Sequence, residues 1–150
     1  MMNFHNFDEV LDFAILQEQA AQQFYTAMSG RVHDPAVAEF YRILVAEERE
    51  HENRLQALKG NPSTLRPPDL EDLAESGYLK AIPIPPDITF KEAVKLAIQK
   101  EKSAHQLYSV LADMIDQENL EQLFRDLACQ EIEHMKYFQK EFEAIQLAES

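Results

Sequence analysis

Residues 47–54 read EEREHENR, and 83 positions further along, residues 130–137 read QEIEHMKY. Each stretch contains the motif Glu-x-x-His, formed by Glu48 with His51 and by Glu131 with His134. Residues three apart lie on the same face of a helix, so each motif places a carboxylate beside an imidazole. One acidic stretch of this kind is usually solvent-exposed helix surface. Two at matching positions raise the alternative that one kind of site occurs twice.

The similarity extends well beyond the two motifs. The shift that places Glu48 on Glu131 also aligns residues 14–28 with residues 97–111, and six of the fifteen positions are identical. The same shift aligns residues 40–51 with residues 123–134, with five of twelve identical. One constant offset across two segments predicts an internal duplication.

The hydrophobic pattern predicts four long helices, and the low glycine content of three residues in 150 also favours helix. The pair Asp34–Pro35, and Thr89 with Glu92 three residues later, are typical of helix N-termini. The predicted fold class is all-α, with two duplicated helical hairpins in one domain, residues 1–150. The hairpins cover about residues 7–59 and about residues 89–147, and a long crossover covers about residues 60–88.

The crossover is rich in proline and too long for a simple hairpin turn. A helix of 24 residues is about 36 Å long, and an extended linker of this size can span that length. We therefore expect the crossover to run along a bundle and to start the third helix at the opposite end. The stretch DLEDLAES within it is a candidate short helix.

Each predicted helix has an apolar stripe with a glutamate at its middle. In the second helix the stripe runs through Tyr41, Leu44, Glu48, His51 and Leu55. The stripes of the other helices carry Glu18, Glu101, and Glu131 with His134. The neighbouring acids mostly fall off the stripes and are expected on solvated surface: Glu47, Glu50, Glu52, Glu133 and Glu141.

Four carboxylates in a core must either be protonated or have a cation between them. Burying one unpaired charge costs several kcal/mol, and like charges add repulsion. Two divalent ions would balance four carboxylates with both histidines neutral, and this donor set suits Fe, Mn or Zn. We therefore predict a di-metal site with the ligands Glu18, Glu48, His51, Glu101, Glu131 and His134.

The composition argues against several other functions. A net charge of −13 argues against a nucleic-acid partner, because phosphate binding needs clustered Lys and Arg. The single cysteine, Cys129, excludes an internal disulfide and is expected to be a small buried hydrophobe. No apolar run approaches the ~18 residues of a membrane span. The N-terminus does not read as a signal peptide, and a cytoplasmic protein is expected.

The ligand pattern resembles that of ferritin-like di-iron proteins, in which two helices give one Glu each and two give Glu-x-x-His. The sequence is similar to the di-iron domain of rubrerythrins over nearly its whole length. The matching pairs are Glu18 with Tyr25, Glu48 with His51, Glu101 with Tyr108, and Glu131 with His134. The resemblance implies a ferritin-like four-helix bundle with two iron ions, with Mn or Zn as alternatives. It also implies bridging roles for Glu48 and Glu131, terminal roles for Glu18 and Glu101, and one histidine on each ion.

Two departures from rubrerythrins concern the reaction. The sequence has no pair of CxxC motifs for a rubredoxin module, so electrons are expected from a separate donor, rubredoxin-like or other. Many rubrerythrins also have an extra carboxylate at the position of Ala104. The neighbouring His105 is either a further ligand or a residue at the edge of the core.

Tyr25 and Tyr108 lie two turns from the stripe glutamates of their helices and are the candidate catalytic residues. A buried phenol needs a hydrogen-bond partner, and a ligand carboxylate is a natural one. Ordinary core tyrosines are the alternative. Glu47 and Gln130 each precede a ligand glutamate, and in similar bacterioferritins that position hydrogen-bonds a histidine.

The resemblance implies a redox enzyme that reduces peroxide or dioxygen. A ferroxidase that stores iron is an alternative, and a metal-stabilised bundle without catalysis is another. Haem is not expected, since Arg49 occupies the position of the haem-binding methionine of bacterioferritins. We expect a homodimer, because bundles of this kind often pair through a further helical face. Spare apolar residues such as Phe4, Phe7 and Tyr137 are available for it.

Overall fold

The computed structural model describes residues 6–60 and 82–149, and four helices account for most of them. They are α1 (Phe7–Ser29), α2 (Pro35–Leu58), α3 (Phe90–Met114) and α4 (Glu118–Glu149). The outer ends of the two helix pairs lie within two residues of the predicted hairpin bounds, at residues 7 and 58 and at residues 90 and 149. Most of the predicted crossover, including DLEDLAES, and the interface candidate Phe4 lie outside the described residues. The expectation that Phe7 is spare for an interface is wrong, because its side chain is buried within the chain.

Side chains placed before the helices cap the first three of them. Asn6 accepts a hydrogen bond from the backbone N–H of Glu9 at 2.9 Å, and Thr89 accepts one from that of Glu92 at 3.1 Å. Asp34 accepts from the N–H of Ala36 at 2.9 Å, and Pro35 occupies the first turn of α2. Such caps satisfy N–H groups that have no partner within the helix, which stabilises each helix by about 1 kcal/mol.

The described chain divides into two compact units, one for each hairpin. In the N-terminal hairpin, α1 and α2 run antiparallel, because residues 30–34 connect them directly. Lys59 at the end of α2 pairs with Asp12 of α1, and the N–H of Gly60 bonds Asp8 at 3.3 Å. Gly60 has a φ of 83°, a conformation that glycine adopts without the strain of a side chain.

The buried side chains of the N-terminal hairpin repeat at helical spacing. On α1 they include Leu11, Ile15, Tyr25 and Met28, and on α2 Tyr41, Leu44 and Leu55. These are the apolar stripes that the sequence predicts. A glutamate at the middle of each stripe therefore points towards the same interior as its apolar neighbours.

In the C-terminal hairpin, residues 115–117 join α3 to α4. Arg125 of α4 bonds Asp113 of α3 at 3.0 Å, close to this connection. At the opposite end, Lys91 of α3 pairs with Glu149 of α4 at 2.6 Å. These two contacts link α3 to α4 near both ends of the hairpin.

The prediction that Cys129 is buried is wrong, because the structure shows it exposed. The buried residues of this part of α4 are Leu127, Ala128 and Glu131. Successive helical residues are turned by about 100°, so Cys129 falls outside the face that these three share.

Among the described residues, no helix combines the length and hydropathy of a membrane span.

Candidate metal centre

The N-terminal hairpin brings together three of the predicted ligands. Glu18 comes from the middle of α1, and Glu48 and His51 come from neighbouring turns of α2. All three side chains are almost fully buried, with exposed fractions of 2%, 1% and 0%. Because Glu48 and His51 are three residues apart on one helix, the fold of α2 alone aims both at the same point.

Distances within this set fit donors that share an ion. His51 Nδ1 lies 3.6 Å from Glu18 Oε1 and 3.8 Å from Glu48 Oε2. Both separations exceed the 2.7–3.2 Å typical of an N–H···O hydrogen bond. Two donors bound to one ion at about 2.1 Å each lie at most about 4.2 Å apart. The observed spacing therefore leaves room for a metal ion between the imidazole and the carboxylates.

The C-terminal hairpin repeats this arrangement with Glu101 of α3 and with Glu131 and His134 of α4. His134 Nδ1 lies 3.6 Å from Glu101 Oε2 and 3.8 Å from Glu131 Oε1. The exposed fractions are 2%, 2% and 6%. The structure thus reproduces in the second hairpin the distances of the first, as the duplicated sequence predicts.

The donor chemistry of each set fits a divalent metal ion. In each hairpin, one ligand atom from each of the three side chains lies within 4.8 Å of the other two. Two buried carboxylates carry a charge of −2, which one divalent ion neutralises when the histidine is neutral. Carboxylate and imidazole donors are typical of Fe, Mn and Zn sites. Each hairpin therefore holds a buried Glu/His cluster that could bind a metal ion.

Tyr25 and Tyr108 are buried on the same stripes as their glutamates, as predicted. Each lies against an aromatic ring from the other helix of its hairpin. The ring of Tyr25 lies 6.3 Å from that of Tyr41, and the ring of Tyr108 lies 6.3 Å from that of Phe124. These ring contacts fill the interior of each hairpin on one side of its ligands and leave no exposed ring surface on either tyrosine to speak of. A catalytic role for either tyrosine stays a prediction.

His105 makes a contact between two helices. Its Nδ1 lies 2.8 Å from the backbone oxygen of Ala128, so the imidazole donates a hydrogen bond from α3 to α4. His105 is not in either ligand group found among residues 6–60 and 82–149. The structure therefore favours His105 as a residue at the edge of the core rather than as a further ligand. The hydrogen bonds predicted for Glu47 and Gln130 stay predictions.

Lys100 precedes the ligand Glu101 and is half-buried. Its ammonium group donates a hydrogen bond to the backbone oxygen of Ile82 at 3.1 Å. Burial lowers the pKa of Lys100, whereas the nearby carboxylate of Glu101 acts in the opposite direction. The contact joins α3 to the segment that immediately precedes it.

Sequence reasoning missed a polar network beside the first ligand set. Glu52, which the sequence predicts on solvated surface, is half-buried. It accepts hydrogen bonds from Gln22 and Gln19, and these bonds lower its pKa below the usual value. Glu52 is distant in sequence from both glutamines, and only the register of α1 against α2 brings them together.

A comparison with protein families supports the duplication. The model described as Rubrerythrin matches the chain twice, at residues 9–67 and 92–150. The shift from the first matched range to the second is the same shift that places Glu48 on Glu131. No match was found among curated proteins or among solved structures. Since the two matches together cover most of the chain, this is a protein of the rubrerythrin family, with the all-α, ferritin-like four-helix fold in two repeated halves.

Proposed function

We propose that this protein is a non-haem di-iron carboxylate enzyme that reduces peroxide or dioxygen with electrons from a separate donor. The observation that carries the proposal is the buried set of one Glu and one Glu-x-x-His in each hairpin of a rubrerythrin-family chain. Each set supplies the charge and donor types that one ferrous ion requires. The two sets together supply the ligands for two ferrous ions.

Within this proposal the six ligands have distinct roles. Glu18 and Glu101 would be terminal ligands, and Glu48 and Glu131 would have the bridging roles that the resemblance to rubrerythrins implies. His51 and His134 each offer Nδ1, the ring nitrogen that faces the carboxylates of its hairpin. For this nitrogen to bind a metal, the proton of the neutral ring must reside on Nε2.

When bound, two ferrous ions supply one electron each, which with two protons reduces hydrogen peroxide to two water molecules. The surrounding residues control water and protons. Tyr25 and Tyr108 are buried, and their hydroxyl groups are the proton donors that we assign to the reaction. Apolar and aromatic side chains such as Leu44 and Phe124 keep bulk water away from the carboxylates.

The electron donor and the assembly stay predictions. A donor is needed because each turnover consumes two electrons that the polypeptide itself does not supply. We propose a small redox protein, rubredoxin-like or other, and a homodimer in the cytoplasm.

Rapid mixing of anaerobic protein loaded with two Fe(II) per chain tests the proposal. Hydrogen peroxide and dioxygen are added in parallel, and the diferric absorbance is followed over time. We expect fast oxidation by peroxide and no uptake of further iron. Fast oxidation by dioxygen followed by continued iron uptake would instead identify a ferroxidase. The matched control is Glu50→Gln, which removes a carboxylate of α2 that is exposed and faces Arg54.

A further inference from the structure

Glu52 connects the two helices of the N-terminal hairpin with both of its carboxylate oxygens. Oε2 accepts a hydrogen bond from Gln19 Nε2 at 2.7 Å, and Oε1 accepts one from Gln22 Nε2 at 2.8 Å. Both glutamines belong to α1, whereas Glu52 belongs to α2. Arg49 Nε approaches Gln22 Oε1 at 3.4 Å and extends the network along α2. We call Glu52, Gln19 and Gln22 the clamp.

The clamp lies beside the metal-binding residues of its hairpin. Gln19 immediately follows Glu18, and Glu52 immediately follows His51. Hydrogen bonds between the clamp residues therefore hold α1 against α2 within one residue of a ligand on each helix. Charge-assisted hydrogen bonds of this length are stronger than neutral ones, and two of them also restrict rotation of one helix against the other.

The duplication does not repeat the clamp. In the alignment that places Glu48 on Glu131, the counterparts of Gln19, Gln22 and Glu52 are Lys102, His105 and Met135. A thioether is only a weak hydrogen-bond acceptor, so Met135 has no equivalent of the carboxylate. In that hairpin the helices are joined by the bond from His105 to the Ala128 carbonyl. The ligands occur twice, but the groups that hold them in place differ.

We propose that Glu52 is a positioning residue: through Gln19 and Gln22 it fixes the separation of Glu18 from His51, and so strengthens metal binding in the N-terminal hairpin alone. The inference rests on the proposed metal centre and concerns one of its two halves. Mutation of a residue that orients a metal ligand without binding the metal itself typically lowers metal affinity by about 10- to 100-fold. Glu52 acts on the helices that carry the ligands, so we expect the lower end of this range.

The test is a titration of metal-free protein with Co(II), followed by calorimetry and by the visible absorption of bound Co(II). His51→Ala and His134→Ala assign the two binding events, because each variant removes a ligand from one hairpin. Glu52→Ala should weaken the event that His51→Ala abolishes by about tenfold. It should leave the event that His134→Ala abolishes unchanged, and its Co(II) spectrum should change for the first event only.

Two further variants separate positioning from charge. Glu52→Gln removes the charge but keeps one acceptor for Gln22, and its N–H₂ can donate to Gln19 once that amide turns to present its oxygen, so it should lose less affinity than Glu52→Ala. Glu50→Gln removes the same charge from an exposed position of α2 and should behave as wild type. Gln19→Ala combined with Gln22→Ala should reproduce the effect of Glu52→Ala without altering residue 52.

Several results would overturn the inference. Equal weakening of both events by Glu52→Ala would mean a general loss of packing, and equal loss in Glu52→Gln would mean a long-range charge effect. Unchanged affinity in both Glu52→Ala and the double glutamine variant would also overturn it, while leaving the metal centre itself intact. If wild-type protein shows no Co(II) binding that depends on His51 or His134, the proposed function and the inference fail together.

Discussion

The buried carboxylate of Glu48 affects both the binding of metal and the stability of the metal-free protein. It is almost completely buried, and one of its oxygens lies within 4.8 Å of a carboxylate oxygen of Glu18. Without a cation, two like charges at this distance repel each other in a medium that screens them poorly. Burying both carboxylates in their ionised form without a metal ion therefore costs free energy of folding.

The change in the free energy of unfolding caused by Glu48→Gln should therefore have opposite signs in metal-free and in metal-loaded protein. The substitution keeps the shape of the side chain but removes its charge. At neutral pH we expect the metal-free variant to be more stable than metal-free wild type, by on the order of 1 kcal/mol. In excess divalent metal the variant should be less stable than wild type, because it binds the ion more weakly. Thermal unfolding by circular dichroism measures both differences, and a change of the same sign under both conditions contradicts the account.

At the scale of helices, the sequence predicts the elements well and their mutual contacts less well. Helical periodicity and caps such as Asp34 and Thr89 are local, so they can be read from neighbouring residues. The bond between His105 and Ala128, and the clamp around Glu52, depend on how far one helix is shifted along its neighbour. That shift follows from side-chain packing, which no local pattern specifies. The prediction for Cys129 is wrong for a related reason, since one residue along a helix changes its face.

Thr89 gives a prediction at this scale. Thr89→Ala removes the acceptor for the N–H of Glu92 at the start of α3. We expect unfolding in urea to show a loss of about 1 kcal/mol with an unchanged m-value. The control is Thr26→Ala in α1, where the hydroxyl bonds only a carbonyl of its own helix and its removal should change stability little. Equal losses in both variants would show that the cap contributes nothing specific.

Glu52 gives a prediction that depends on pH. Because hydrogen bonds from Gln22 and Gln19 lower its pKa in the folded state, the ionised carboxylate favours folding. The contribution is fully present above the ordinary pKa of about 4.5 and is lost as pH falls through the lower folded value. The stability difference between wild type and Glu52→Ala should therefore be constant near neutral pH and shrink below about pH 4.5. A difference that grows on acidification, measured by urea unfolding of the metal-free proteins, would contradict this.

At the scale of the whole molecule, duplication carries most of the inference from sequence. A single Glu-x-x-His is weak evidence, but one constant offset relates the two motifs, the stripe glutamates and the two matches to the rubrerythrin model. Fold class and family could therefore be predicted from the sequence alone. The electron donor could not, because recognition of a partner depends on a surface rather than on a repeated pattern.

Metal removal should affect the stability of the whole protein. A ligand that binds only the folded state stabilises it by about 2.7 kcal/mol at a free concentration of 100 times its Kd. We therefore expect a chelator to lower the Tm of metal-loaded wild type and to leave the Tm of a His51→Ala, His134→Ala double variant nearly unchanged. Equal shifts in the two proteins would mean that stabilising metal binds elsewhere.

The most direct test of the account is the number of Fe(II) ions bound per chain under anaerobic conditions, measured by titration and elemental analysis. We predict two tightly bound ions in wild type. His134→Ala should lose the ion of the C-terminal hairpin, His51→Ala that of the N-terminal hairpin, and Glu48→Ala should weaken both. A wild-type chain that binds no iron, or three variants that all keep the iron content of wild type, would contradict the assignment of Glu18, Glu48, His51, Glu101, Glu131 and His134 as ligands.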